Sequence, residues 1–130
     1  MMKLLPDNPF IALLGARLLE WKPGYCEWQL RIRPEFMNTR EGLHGGATAT
    51  LLDVACAYSG FYPENGHLNC RASTLSLTTQ YLSPVQGDLV TARGWLTGGG
   101  QKIYFADAEL LEGDKVVAKA SGNFRRYFVD

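Results

Sequence analysis

Apolar and polar positions alternate through most of the chain, and this period of two is interrupted by one long run without a polar face. The run is Ala47-Thr48-Ala49-Thr50-Leu51-Leu52-Asp53-Val54-Ala55-Cys56-Ala57-Tyr58-Ser59-Gly60. It is too long for an ordinary strand and rich in Ala and Leu, so it reads as a helix. A helix apolar nearly all round must be buried on most sides, which puts it at the centre of the fold. Strand candidates at 16–21 and 25–33 precede it, joined by the Lys22-Pro23-Gly24 turn. In the second, Cys26, Trp28, Leu30 and Ile32 share one face, with Glu27, Gln29, Arg31 and Arg33 on the other.

Residues 34–46 read as an irregular loop. After a second loop through Pro63 and Gly66, strands are predicted at 72–82, 89–96, 101–111 and 115–128. The links between them are short, which predicts an antiparallel meander. At the start, Asn8 suits a helix cap, Pro9 the first helical position and Gly15 the stop, giving a short helix with Phe10, Ile11, Leu13 and Leu14. One central helix against a long antiparallel sheet is an α+β fold.

Composition narrows the function classes. At 130 residues, with no repeat or low-complexity stretch, the chain is expected to form a single domain over 1–130. Lys and Arg total 13 against 13 Asp and Glu, which argues against a nucleic-acid surface. Pro6 and Asp7 interrupt the N-terminal apolar run too early for a signal peptide. No stretch approaches the ~18 apolar residues of a membrane span. Cys26, Cys56 and Cys70 are odd in number and lack a CxxC spacing, which fits reduced thiols and a cytoplasmic setting. His44 and His67 stand far apart, outside any ligand spacing, so no metal site is expected. His67 reads as a solvated loop residue.

Candidate chemistry gathers where the loop enters the central helix. Gly45 and Gly46 let the backbone approach a ligand closely. The first N–H groups of the helix lack internal partners and lie at the positive end of its dipole. Such a start can hold a carboxylate, a phosphate or a developing oxyanion. A plain loop-to-helix turn is the competing reading.

Asp53 shifts that balance. It is the only charged residue between Glu41 and Glu64, and a buried unpaired carboxylate is costly. It reads as a general base or nucleophile in a dry pocket, against the alternative of an Asp satisfied by structural hydrogen bonds. It lies two turns, roughly 10 Å, from the helix start, too far for both to grip one carbonyl directly. Cys56, three residues on, reads as a buried filler rather than a nucleophile.

Asn38, then His44-Gly45-Gly46, then Leu52-Asp53-Val54-Ala55 resembles the hotdog-fold acyl-CoA thioesterases of the phenylacetate-degradation type. The opening Asn8-Pro9-Phe10 and the segment Tyr81-Leu82-Ser83-Pro84 are similar to the same family. The resemblance implies a curved antiparallel sheet wrapped around the long helix. It also implies a homodimer or a dimer of dimers, with active sites at the dimer interface. Asp53 would then act as base or nucleophile from one copy, and the Gly45 N–H would hold the thioester oxygen in the other. His44 would shape that turn, Asn38 would position water or thioester, and Thr74 would assist the water. Substrate contacts are implied at Gly46, Ser76, Tyr81 and Arg125, and along the turn Gly98, Gly99, Gly100, Gln101 and Lys102. No cofactor is called for, since coenzyme A is part of the acyl-CoA substrate. A hotdog dehydratase and a non-catalytic dimeric acyl-CoA binding module are the alternatives.

Overall fold

The computed structural model describes residues 8–64 and 70–128, so His67 lies outside the described residues. Helix α1, Pro9–Leu14, is capped as its sequence predicts. Asn8 Oδ1 accepts the Ile11 N–H at 3.4 Å, and Gly15 ends it at φ 84°. Ile11 is buried in the core and Leu14 packs against it half-buried, while Phe10 and Leu13 stay exposed. Strands β1, Arg17–Lys22, and β2, Tyr25–Arg31, form a hairpin. A 3-10 turn at Pro34–Phe36 sits inside the expected loop, and helix α2 follows over Gly45–Ser59, starting two residues before the apolar run. Strands β3, Cys70–Tyr81, β4, Leu89–Gly99, β5, Ile103–Glu112, and β6, Lys115–Phe128, complete the chain.

These strands make one six-stranded sheet in the order β1-β2-β4-β5-β6-β3, every neighbouring pair antiparallel. This corrects the full meander. Strands β4, β5 and β6 follow one another as predicted, but β3 pairs with β6 at the sheet edge rather than with β4. The link at 82–88 crosses the end of the sheet instead of turning a hairpin. Its bonds trace the crossing: Leu82 and Ser83 N–H to Val117 O, Leu43 N–H to Val85 O, then Ile32 N–H to Asp88 O. Strands β3 and β4 stand three spacings apart, about 14 Å. A few extended residues cover that distance, so link length alone does not reveal the crossover.

The sheet is floored with small residues where α2 lies. Cys26, Gly94, Ala108 and Ala120 pair in register across four strands, and Ala92, Ala106 and Ala118 are as fully buried beside them. This row forms a shallow trough. At its deepest point a Cβ on Gly94 would stand 2.0 Å from Ala55 O, so only glycine lets the helix backbone settle there. Leu51, Leu52, Ala55 and Cys56 fill the contact, each 1% exposed or less. Burial of each leucine contributes about 1.5–3 kcal/mol.

One sheet covers one side of a helix. Gly46, Ala49, Thr50, Asp53 and Ala57 therefore form a stripe along α2 that its own sheet leaves partly open. The predicted burial on most sides holds except along this stripe, and Asp53 lies on it. No helix among the described residues is long and apolar enough to cross a membrane.

Candidate active site

The start of α2 is organised by His44. Its carbonyl accepts the N–H groups of Ala47 at 2.9 Å and Thr48 at 3.1 Å, and its Nδ1 accepts the Gly46 N–H at 2.8 Å. Three of the first four N–H donors are thus satisfied by one residue. The Gly45 N–H is the exception and has no hydrogen-bond partner among the described residues. It belongs to the peptide whose carbonyl, that of His44, carries two hydrogen bonds. Such loading polarises the peptide and strengthens its N–H as a donor. With Nδ1 an acceptor, the neutral ring carries its proton on Nε2.

The two glycines differ in what they need. A Cβ at Gly46 would come within 3.0 Å of His44 Nδ1, so that glycine preserves the cap. A Cβ at Gly45 would touch the Tyr81 ring at 3.4–3.5 Å, an ordinary contact. The fold tolerates a side chain at 45. The bare backbone there suits close approach by a ligand.

Asp53 is half-buried, and Thr74 Oγ1 donates to its Oδ1 at 2.7 Å. Burial pushes its carboxyl above the ordinary carboxylate range, opposed by the Thr74 hydrogen bond. Thr74 reaches Asp53 because of a β-bulge. The β3–β6 register shifts between Thr74 and Ser76, which leaves Leu75 as the extra residue. Ala72 and Thr74 turn toward α2 before the bulge, as Leu77 does after it. Cys56 is deeply buried, and burial raises its thiol pKa, which disfavours the nucleophilic thiolate.

The remaining candidates divide between three places. Asn38 lines a cavity of about 330 Å³ together with Gly45 and Tyr81. Its Oδ1 accepts the N–H groups of Arg40 and Gly42, which pins the loop before the helix and leaves its amide nitrogen unused among the described residues. Asp53 and Thr74 line a separate cavity of about 300 Å³, walled by Val54, Tyr58, Phe61 and Arg71. One chain does not bring Gly45 and Asp53 into a common cavity. The turn from Gly98 to Lys102 lies elsewhere, at the C-terminal end of α2, where Gln101 shares a cavity with Gly60 and Phe61.

Ser76 pairs with Asn123 and Arg125 with Ser73, on the sheet face away from α2. The Arg125 guanidinium packs over the Tyr127 ring at 5.0 Å. Neither residue joins Asp53 or Gly45 within the chain. Arg126, which the sequence offers beside Arg125 and Lys102 only as a basic group near a strand end able to meet phosphates, turns inward instead. It donates to Gly60 O, Gly100 O and Gln101 O, and so ties the glycine turn to the end of α2. Strand parity with the buried Phe124 was the available signal.

The profile of the Thioesterase superfamily matches residues 42–120, a stretch that contains the α2 start, Asp53 and Thr74. The medium/long-chain acyl-CoA thioesterase YigI of Salmonella typhimurium is 28% identical over 130 residues, covering 89% of this chain and 84% of that protein. A thioesterase family protein from Silicibacter pomeroyi superposes with a TM-score of 0.87 at 21% identity, over 98% of each chain. The Escherichia coli PaaI protein, from the phenylacetic acid degradation operon, superposes at 0.81 and 21% identity, over 93% of this chain and 86% of its own. The helix cradled in a curved antiparallel sheet is the hotdog fold of these neighbours, and the chain belongs to the Thioesterase superfamily as a hotdog-fold thioester hydrolase.

Proposed function

We propose that the protein hydrolyses acyl-CoA thioesters to a free acid and coenzyme A, with Asp53 as the base and the Gly45 N–H as the oxyanion donor. The observation that carries this reading is the Gly45 N–H, unmatched among the described residues, at a helix start whose other leading donors are occupied. Asp53, the one carboxylate of α2, supplies the second part. Its carboxylate takes a proton from water, the hydroxide adds to the thioester carbon, and the oxyanion forms against the Gly45 N–H. The intermediate then expels the thiolate, which recovers the proton from Asp53. One aimed N–H is typically worth about 10²–10³ in rate. A positioned base adds about 10²–10⁴.

The two groups open into separate cavities of one chain. The working unit is therefore two copies, joined through β3, whose outer edge has no partner strand among the described residues. Leu75 on that strand is 53% exposed, and a long open edge is a template for pairing. Three free cysteines fit a reducing, cytoplasmic setting. The test is thiol release from a panel of aryl and aliphatic acyl-CoAs by wild type and Asp53→Asn. Hydrolysis of at least one ester by wild type, and its loss in the variant, is expected. Equal turnover by both would overturn the assignment.

A further inference from the structure

The Tyr81 side chain is 58% exposed, yet its hydroxyl does not face solvent alone. It donates to Gly45 O at 2.9 Å, while the ring lies against the Gly45 backbone. A helical carbonyl ordinarily receives only the N–H four residues on. Here the first carbonyl of α2 takes a side-chain donor as well. That carbonyl shares a peptide with the Gly46 N–H, which in turn donates to His44 Nδ1 at 2.8 Å. The bonds form a series: Tyr81 hydroxyl to the Gly45–Gly46 peptide, then that peptide to the His44 ring. Each bond in such a series polarises and orients the next.

Resting on the function proposed above, the geometry points to Tyr81 as a positioning residue that fixes the oxyanion-binding turn through the Gly45 carbonyl, rather than as a contact for the substrate. The hydroxyl bonds backbone of the turn itself, and the main chain of His44 holds the peptide that bears the free N–H. Strand β3 then grips α2 at both working points, Thr74 at Asp53 and Tyr81 at Gly45. A group that orients a donor used most strongly in the transition state affects kcat, whereas a substrate contact affects KM.

The experiment compares Tyr81→Phe, Tyr81→Leu and Asp53→Asn with wild type. It reads kcat and KM, the melting temperature, and amide hydrogen exchange across 46–48. Tyr81→Phe keeps the ring and loses only the hydroxyl. Its kcat is expected to fall about tenfold, the scale of one hydrogen bond, with KM within about twofold and the melting temperature close to wild type. Exchange at 46–48 is expected to quicken while that of 51–56 stays unchanged. Tyr81→Leu, which also loses the ring contact, should fall at least as far. Wild-type kcat in Tyr81→Phe beside an inactive Asp53→Asn would overturn the positioning role and leave the proposed function standing. A raised KM at unchanged kcat would overturn it in favour of substrate contact. If Asp53→Asn keeps full turnover, the function reading fails; exchange at 46–48 then decides, unchanged rates overturning the role of Tyr81 and faster rates supporting it.

Discussion

Thr74 Oγ1 and Asp53 Oδ1 meet at 2.7 Å across the gap between the edge strand and the central helix. The bond joins an edge strand of the sheet to the one carboxylate of α2. It also opposes the effect of burial, which raises the carboxyl pKa, while the hydroxyl donor favours the charged form. Asp53 is held in tension between these two influences, which is what its proposed role as base in a partly dry site requires.

Asp53→Asn is expected to lose about 10²–10⁴ in turnover while the protein becomes more stable at neutral pH. The sign follows from linkage. A carboxyl whose folded pKa lies above its unfolded value binds more protons when folded, so stability falls as pH rises from about 4 through the raised folded value. The asparagine variant lacks this loss. Urea unfolding at pH 4 and pH 7 should show the two proteins converging at the lower pH and separating at the higher. Equal pH dependence in both would refute the burial argument.

Thr74→Val removes the one interaction that lowers the Asp53 pKa. The acid limb of kcat/KM should therefore move to higher pH, with a smaller kcat on the plateau. Thr74→Ser retains a hydroxyl donor and should stay near the wild-type profile. A pH–rate series on the three proteins checks this. An unmoved limb in Thr74→Val would show that the hydroxyl does not tune the base.

The sequence made some of this legible and concealed the rest for physical reasons. The span of α2 followed from composition, and Asp53 stood out because a lone charge in an apolar run needs an explanation. The inward face of β2 followed from alternation, and Cys26, Trp28 and Leu30 are buried as read. Alternation fails where a bulge resets parity, which is why Ser76 falls on the outer face beyond Leu75. The β3–β4 crossover left no trace because its link is as short as a hairpin. The Tyr81–Gly45 bond joins residues 36 apart through one hydroxyl, beyond any periodic signal.

Gly45→Ala and Gly94→Ala should behave oppositely. At Gly45 the added methyl makes ordinary contacts with the Tyr81 ring and hydroxyl at 3.4–3.5 Å, and alanine is the better helix former, so stability should hold or rise. Turnover should fall about 10²-fold, because the methyl occupies the approach to the free N–H. At Gly94 the methyl would stand 2.0 Å from Ala55 O, so the helix must lift from the sheet at a cost of about 1–3 kcal/mol or more. Denaturant melts and thiol-release rates on both variants test the contrast. A destabilised Gly45→Ala with normal turnover would reverse the reading of that glycine.

Mixed dimers test whether Gly45 and Asp53 act from different copies. Asp53→Asn and Gly45→Ala are each expected to fold and to be nearly inactive alone. In a two-fold dimer with shared sites, a mixed pair places both substitutions in one site and leaves the other intact. Co-expression of the two chains in equal amounts should therefore restore about a quarter of wild-type turnover, since half the dimers are mixed and each carries one sound site. If each chain held a complete site, every site in the mixture would carry one of the substitutions. Turnover at the level of the separate variants, measured on dimers verified as mixed, would rule out the shared site.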